Sequence, residues 1–599
     1  MLFVDTEVFA HNWLVVILDM DRQERVVIAD DVERLRAFHE EHRHDIWVGY
    51  NIKHYDQYIL KAILLGLDPK KVSDWIIVKD RQGWQYTRRF NDIPLVIYDV
   101  MNSLDRGLKF FEGSMGNSIE ESSVPFDIDR RLTPDELAEV VKYCTHDVEQ
   151  TVEVFLARKD DFEAQMGLIR MFDLPLSDLS KTKVQLSAKI LEANRRSYDD
   201  ELDIDFPDTL RLAGEHAFIP EWYRRMSTLT LDHVREHWID EFGGKDTERS
   251  RAKIPTNSEE LKRFVYSQSL KVDIAGVPHV FGWGGVHGAR ENYVGEGYFI
   301  NMDVASLYPS LMIQYNLHSR SCNPQKFNDI VETRLKYKAE RNPLQAPLKI
   351  VINGTYGAMK ADNPLYDPRQ ANRVCLYGQM LLLDLIEKLA PHAEIIQSNT
   401  DGVMVRMPDG RDEDEWFHLI DDIAYEWERR TRLKLEFSEF RKVFQKDVNN
   451  YVIVDGDGKY KSKGAYVKKL GRLDYDLPIV NRALVDYMVR GVPVERTIMG
   501  CNELKEFQMV KKISSLYSCI LHGGERLDVR CVRLFASRDM QDGGVSKMHA
   551  KTGREAKMEG TPEHCFIVNG SMDGLEVPDR LDRQWYIKTA LDRLKGFTS

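Results

Sequence analysis

Two carboxylates open the chain in "LFVDTEVF", residues 2–9, where Asp5 and Glu7 lie two apart in an alternating apolar run. On a strand that spacing puts both on one face, where they repel each other unless a cation lies between them; an exposed strand face is the other reading of this motif alone. A third acid, Asp401, sits at the tip of "EIIQSNTDGVMVR", residues 394–406, whose two apolar runs around four small or polar residues read as a tight β-hairpin. Asn399, Thr400 and Asp401 meet the backbone needs of a turn, so this stretch leaves Asp401 open between turn former and metal ligand. A fourth, Asp303, ends the apolar strand of "YFINMDVASLYPSLM", just before a turn into Leu307, Tyr308 and Pro309.

The elements that would position such groups are legible nearby. In "LTPDELAEVVKYCTHDVEQTVEVF", Thr133 is an N-cap, Pro134 takes the first helical position and Glu136 closes a capping box. On that helix Tyr143 and Asp147 share a face, while Leu137, Val140, Val141, Cys144 and Val148 form the buried stripe. Upstream, "VGYNIKHYDQYIL" carries Asn51, Tyr55 and Asp56 into a helical apolar pattern. "VETRLKYKAERNPLQAPLKIVINGTYGAMK" predicts two antiparallel helices joined at Asn342-Pro343. Lys349, Asn353 and Tyr356 fall at i, i+4 and i+7 on the second, and Arg334, Lys338 and Arg341 show the same spacing on the first. Facing basic stripes repel without an anion between them, and a triphosphate is the obvious one.

Taken in order, D-x-E, N-x-x-x-Y-D and Y-x-x-x-D resemble the three motifs of DnaQ-like 3′→5′ proofreading exonucleases. The resemblance implies that Asp5, Glu7, Asp56 and Asp147 hold two Mg2+ or Mn2+ ions that activate a water and stabilise the leaving oxygen. It makes Tyr143 the residue that orients the water, and Asn51 and Tyr55 contacts for DNA.

D-x-x-S-L-Y-P from Asp303 resembles motif A of family B DNA polymerases, and K-x-x-x-N-x-x-Y-G from Lys349 resembles motif B. The hairpin lies where motif C, Asp-Thr-Asp, would lie, with Asn399 in place of the first acid and Asp401 as the second. The implied polymerase site holds two further Mg2+ or Mn2+ ions on Asp303 and Asp401, one lowering the pKa of a primer 3′-hydroxyl and one holding the triphosphate. Backbone N–H groups around Ser306 and Leu307 would cradle that triphosphate, with Arg334, Lys338, Lys349, Asn353 and Tyr356 completing the nucleotide site. Tyr308 would lie beneath the sugar and clash with a 2′-hydroxyl, selecting deoxynucleotides. Asn399 removes a negative charge beside the metals, with metal affinity and fidelity as the properties it would alter. Lys463 and Tyr466 in "KSKGAYV" are similar to a K-K-x-Y element that touches primer and template, although Gly464 replaces the second lysine. Gly284 and Gly285 in "FGWGGVHGA" resemble a template-contacting Y-x-G-G stretch, with Gly282 in place of the tyrosine.

Composition sets the frame. The chain has 599 residues, of which 43% are hydrophobic, enough for about three or four domains with their own cores. Seven cysteines without C-x-x-C pairing argue against a disulfide framework or zinc ribbon and fit a reducing compartment. No basic n-region opens the chain and no 18 apolar residues run together, so a soluble, unexported, cytoplasmic protein is expected, in the cytoplasm of a bacterial host if the chain is phage-encoded. The net charge of −13 counts against nucleic acid only if charge is evenly spread. "KYKSKGAYVKKLGR", from Lys459 to Arg472, has six basic residues and no acid, and a second basic cluster runs from Lys547 to Lys557.

The expected architecture is multidomain α/β and α+β, an RNase H-like exonuclease domain followed by a right-hand polymerase. Its segments are an exonuclease at 1–160, a helical connection and start of palm at 161–290, palm at 291–325, and fingers at 326–362. Palm again at 363–470 and a mixed-helical thumb at 471–599 complete it. Only 31 residues separate Asp303 from Arg334 and 44 separate Gly357 from Asp401, intervals in which protein-primed phage members carry insertions. A compact phage, prophage or plasmid enzyme that extends a pre-existing primer is expected, monomeric, with primer-template DNA and dNTPs as partners and helicase, single-strand-binding or processivity proteins as helpers. A nuclease whose polymerase half only grips DNA, and a DNA-binding scaffold with both sites decayed, are the alternatives.

Overall fold

The computed structural model describes residues 1–474 and 477–598, so residues 475, 476 and 599 of the expected C-terminal segment lie outside the described residues. The chain forms two compact units, residues 1–181 with 469–592, and residues 182–468 with 593–599. The expected segment 1–160 falls in the first unit, 291–325, 326–362 and most of 363–470 fall in the second, and 471–599 is divided between them.

The first unit starts with β1 (Leu2–Val8), β2 (Trp13–Asp19), β3 (Glu24–Ala29), β4 (Ile46–Gly49) and β5 (Val96–Asp99). They form one sheet in the order β3-β2-β1-β4-β5, an antiparallel meander followed by two strands parallel to β1. Strand alternation gives β1 two faces. Leu2, Val4 and Val8 enter one core with Ile59 and Leu60, while Phe3 enters another with Cys144 and Val148. Asp5 and Glu7 continue the Phe3 row, so the acids share the apolar face on which a long helix packs.

Asp56 is the first residue of α1 (Asp56–Leu64), and α2 (Leu108–Met115) follows. The long helix is α3 (Pro134–Ala157), which starts on Thr133 with both capping-box hydrogen bonds to Glu136 made. Glu136 also pairs with Arg130, whose guanidinium holds the carboxyl down at about 2.

Residues 509–567 of this unit are stranded, in contrast to the mixed-helical expectation. Met509–Lys512, Cys531–Ala536 and Cys565–Ile567 make a three-stranded sheet. Tyr517–His522, Glu525–Leu527, Val545–His549 and Glu555–Lys557 make a four-stranded one. The runs are too short to show a period, and "CVRLFA" is buried at every position, a pattern shared by core strands and core helices. Arg533 in that strand is fully buried, and its guanidinium donates to the carbonyls of Gly113, Asn117, Val568 and Gly570. Glu121 accepts from the backbone N–H groups of Arg530 and Cys531.

The second unit is organised by a nine-stranded sheet. Its strands are β6 (Leu270–Ile274), β7 (Val277–Phe281), β8 (His287–Ala289), β9 (Tyr293–Val304), β10 (Glu394–Asn399), β11 (Gly402–Arg406), β12 (Leu435–Asp447), β13 (Asn450–Val454) and β14 (Tyr460–Lys463). The order is β14-β13-β12-β9-β11-β10-β8-β7-β6, so the expected helical connection ends in three strands of the sheet. The 12-residue β9 is an interior strand of this sheet, between β12 and β11. Against the sheet and beside it run α4 (Leu307–Gln314), α5 (Pro324–Ala339), α6 (Gln345–Ala358) and α7 (Pro368–Leu389). Helix α7 is buried almost all round, the property of a core helix. Among the described residues no helix is long and apolar enough to cross a membrane.

Candidate active sites

In the second unit, Asp303 stands at the end of β9, with Gly402 of β11 opposite it on one side and Glu436 of β12 opposite it on the other. The hairpin of β10 and β11 turns through Thr400 and Asp401, with Asn399 and Gly402 as its last paired residues. The Asp401 carbonyl accepts from the Val304 N–H at 2.6 Å, which ties the hairpin tip to the end of β9. Burial pushes the Asp303 carboxyl up and the Asp401 charge adds to this, while a 2.8 Å hydrogen bond from Asn301 pulls it down. An acid pushed up by its neighbour's charge forms with that neighbour a donor set for a hard divalent cation, which would relieve the repulsion.

Asn399 is occupied by its turn. Its side-chain oxygen accepts the Asp401 N–H at 3.1 Å, the short-range closure that Asn and Asp both make.

After Asp303 the backbone reverses sharply through Ser306, which is left-handed at φ 50° and ψ 56° and starts α4. That turn, the facing sides of α5 and α6, and the hairpin tip enclose a cavity of about 420 Å³. Ser306, Leu307 and Tyr308 line it from the turn, Arg334, Lys349, Asn353 and Tyr356 from the helices, and Thr400 and Asp401 from the hairpin. Residues up to 95 positions apart in the sequence thus meet around one space, sized for a small-molecule ligand. Arg334 Nε is buried without a hydrogen-bond partner, and among the described residues no ion pair engages Arg334 or Lys349. The rings of Tyr308 and Tyr356 lie with centroids 4.1 Å apart, inclined at 32°. Lys338 does not line the cavity and pairs instead with Glu436 at 3.3 Å, while Arg341 lies past the end of α5 in a left-handed conformation.

Near the hairpin tip, Gly285 packs so closely that a side-chain carbon on it would come within 2.4 Å of Thr400 Oγ1, whereas Gly284 has open space. His287 approaches the same Thr400 hydroxyl at 3.2 Å. Lys463 is exposed at the end of β14, and Tyr466 has Arg593 over its ring at 4.2 Å and Lys446 at 5.5 Å.

In the first unit, Asp5 and Glu7 meet Asp56 and Asp147. Burial pushes all four carboxyls up, Asp56 to about 7 and Asp147 to about 6, and for Asp5 and Glu7 the neighbouring acids push further. Thr6 donates to Asp56 at 2.7 Å, and the Cys144 thiol donates to Asp5 at 3.3 Å. Asp5, Glu7 and Cys144 are the one group of three among the described residues whose ligating atoms lie within 4.8 Å of one another. Burial and the acids push the Cys144 thiol well up, which leaves it a hydrogen-bond donor and the carboxylates the metal-suited set.

Lys109 of α2 pairs with Asp147 and with Glu112 at 3.2 Å, and its ammonium lies 4.5 Å over the Tyr143 ring. Glu112 is fully buried and also faces His146 at 3.4 Å. Asp99 accepts from the backbone N–H groups of Asn51, Lys53 and Met101, which fixes the left-handed Asn51 ahead of Asp56. The Tyr55 hydroxyl bonds Ser73 at 2.8 Å. Sequence reading missed Lys109, Glu112, Asp99, Glu436 and His287, since none stands at a spacing that signals chemistry before the chain folds.

No family model matches the chain and no curated protein matches it. Among solved structures it is similar to the family B DNA polymerase from the hyperthermophilic archaeon Pyrobaculum calidifontis, at 13% identity and a TM-score of 0.41, over 100% of this chain and 78% of that one. That likeness is too distant to assign a family.

Proposed function

We propose that the protein is a template-directed DNA polymerase that extends a primer with deoxynucleoside triphosphates and carries a 3′→5′ exonuclease for proofreading. The cavity carries the reading. Two cationic side chains without ion-pair partners among the described residues, one with a buried unmet N–H, face a space that Asp401 also lines, and Asp303 stands at the strand end opposite Gly402, the residue after Asp401. Such a site suits a polyanion bound to a divalent cation. Arg334 and Lys349 hold the triphosphate, the backbone turn at Ser306 receives its oxygens, and the Tyr308 and Tyr356 rings lie beneath the sugar. Asp303 and Asp401 would hold the divalent ions, whose charge would favour ionisation of the 3′-hydroxyl and offset that of the pyrophosphate.

The four acids of the first unit, with Tyr143 beside them, support a second site, hydrolytic and acting on the 3′ end, with Asp5, Glu7, Asp56 and Asp147 as its metal ligands. Lys463 and Tyr466 are proposed duplex contacts, and Lys338 is proposed to join the nucleotide site by exchanging Glu436 for phosphate. The 31-residue interval holds α4 and the start of α5, and the 44-residue interval holds α7 and β10, which supports extension of a pre-existing primer.

The test is extension of a primed template with Mg2+ and dNTPs by the wild type and by Asp303→Ala, Asp401→Ala and the double variant Asp5→Ala/Glu7→Ala. Extension lost in the first two, with degradation of a mismatched 3′ end lost only in the third, is the expected result. Extension that survives Asp303→Ala and Asp401→Ala refutes the site. Degradation without extension in the wild type favours a nuclease whose other half only grips DNA.

A further inference from the structure

Helix α7 contributes nothing to the lining of the cavity, yet it holds the residues that do. Cys375, 1% exposed, lies against the Tyr356 hydroxyl. Its thiol donates to the Trp283 carbonyl at 3.7 Å and accepts from Lys360 Nζ at 3.6 Å, and Lys360 donates to the same carbonyl at 2.6 Å. One turn on, Gln379 donates to the carbonyls of Gly282 and Gly284 at 2.8 and 2.7 Å. Three consecutive carbonyls of the glycine-rich stretch are therefore gripped by one face of α7 with Lys360, and the same face reaches the back of Tyr356.

We propose that Cys375 is a positioning residue for sugar selection, which rests on the polymerase reading of the cavity. Tyr308 is the ring placed to exclude a 2′-hydroxyl, and what lies behind it is Tyr356, in near-stacked contact. The place of the Tyr356 ring is set at its far end by the sulfur. A phenol ring has only two side-chain torsions, so fixing its hydroxyl fixes the ring, and the ring in turn limits how far Tyr308 retreats from a ribose. Burial pushes both phenols up, so the Tyr356 hydroxyl keeps its proton, and it shares one hydrogen bond with the sulfur and another with Tyr308. Cys375 touches no substrate in this arrangement; it acts through Tyr356.

The experiment measures kcat/KM for a dNTP and for the ribonucleotide with the same base, in the wild type, Cys375→Ala, Cys375→Ser and Tyr356→Phe. Cys375→Ala is expected to lower the dNTP preference about tenfold, the equivalent of the ~1.4 kcal/mol that one hydrogen bond contributes. Cys375→Ser, which keeps an acceptor at this place, is expected to recover most of the preference. Tyr356→Phe removes the same hydrogen bond together with the one its hydroxyl makes to Tyr308, so it should show at least the same loss, and adding Cys375→Ala to it should cause no further loss. A merely structural cysteine would lower both kcat/KM values together and leave their ratio alone. An unchanged ratio in Cys375→Ala and Tyr356→Phe, with the wild type incorporating dNTPs, overturns the inference while leaving the polymerase intact. A wild type that incorporates no nucleotide overturns the polymerase reading and the inference with it.

Discussion

Asp303 and Gly402 face each other across β9 and β11, and a side-chain carbon on Gly402 would come within 2.1 Å of the Asp303 carboxyl oxygen. The glycine after Asp401 is thus a space reserved for the neighbouring strand's acid. Gly402→Ala is expected to displace Asp303 and lower incorporation about 100-fold, the usual cost of a catalytic group misplaced by about 1 Å. Single-turnover extension, with circular dichroism to verify the fold, checks it; wild-type rates in Gly402→Ala would show that the Asp303 carboxyl need not stay where it is.

Arg334 and Lys349 line the cavity without ion-pair partners among the described residues. Each charge-assisted hydrogen bond to phosphate contributes about 1.5–3 kcal/mol, so Arg334→Ala and Lys349→Ala should each raise the KM for dNTP at least tenfold. Both variants should still bind primer-template. A KM that stays at the wild-type value would place the triphosphate elsewhere.

Burial holds the Asp56 carboxyl at about 7, against an ordinary 3.8. Between those values the folded chain keeps a proton that the unfolded chain has lost, so this group's contribution to stability is present below the ordinary value and is lost as pH rises through 7. Asp56→Asn should therefore flatten the fall in Tm from pH 4 to 7. Mg2+ or Mn2+ should raise the wild-type Tm more at pH 8 than at pH 5, because binding must displace that proton. Thermal melts across pH, with and without metal, decide it, and an identical pH profile for Asp56→Asn would sink the idea.

Asn399 accepts the Asp401 N–H. Asn399→Asp keeps that acceptor and adds a charge at the hairpin tip, so extension should reach half its maximal rate at a lower Mg2+ concentration, by several-fold. Asn399→Ala loses the acceptor, and a loss of about 1 kcal/mol in stability is expected. A metal titration of extension and a denaturant melt read the two effects separately; an unshifted Mg2+ requirement in Asn399→Asp would mean that the charge acts too far from the ions to matter.

The strands and helices bearing the acids were legible because each carries its own local signal. Asp5 and Glu7 show the two-residue period, Thr133 and Glu136 announce α3, and Asn399 to Asp401 are turn formers. What the sequence could not show was who answers whom across the fold. Lys109 is an ordinary helical lysine until α2 sets it against Asp147, 38 residues away. Glu436 becomes a neighbour of Asp303 only through the pairing of β12 with β9. Gly464 read as a departure from a lysine pattern, and its reason is three-dimensional: it stands at φ 108°, where a side-chain carbon would come within 2.2 Å of Asn450 Oδ1. The C-terminal strands were missed because short apolar runs without a period suit either kind of element.

The buried Arg533 binds the carbonyl of Gly113 across 420 residues of chain. For a chain emerging from a ribosome this sets an order of events. Residues 182–468 supply nearly all of the second unit and can collapse as they appear, whereas residues 1–181 must wait for residues 469–592 before their own unit closes. Until then α2 presents Phe110 and Phe111 without Val510 and Cys531, which complete that core. The first unit is therefore completed after the bulk of the second, and a chain cut short near residue 468 carries a first unit lacking the residues that close it.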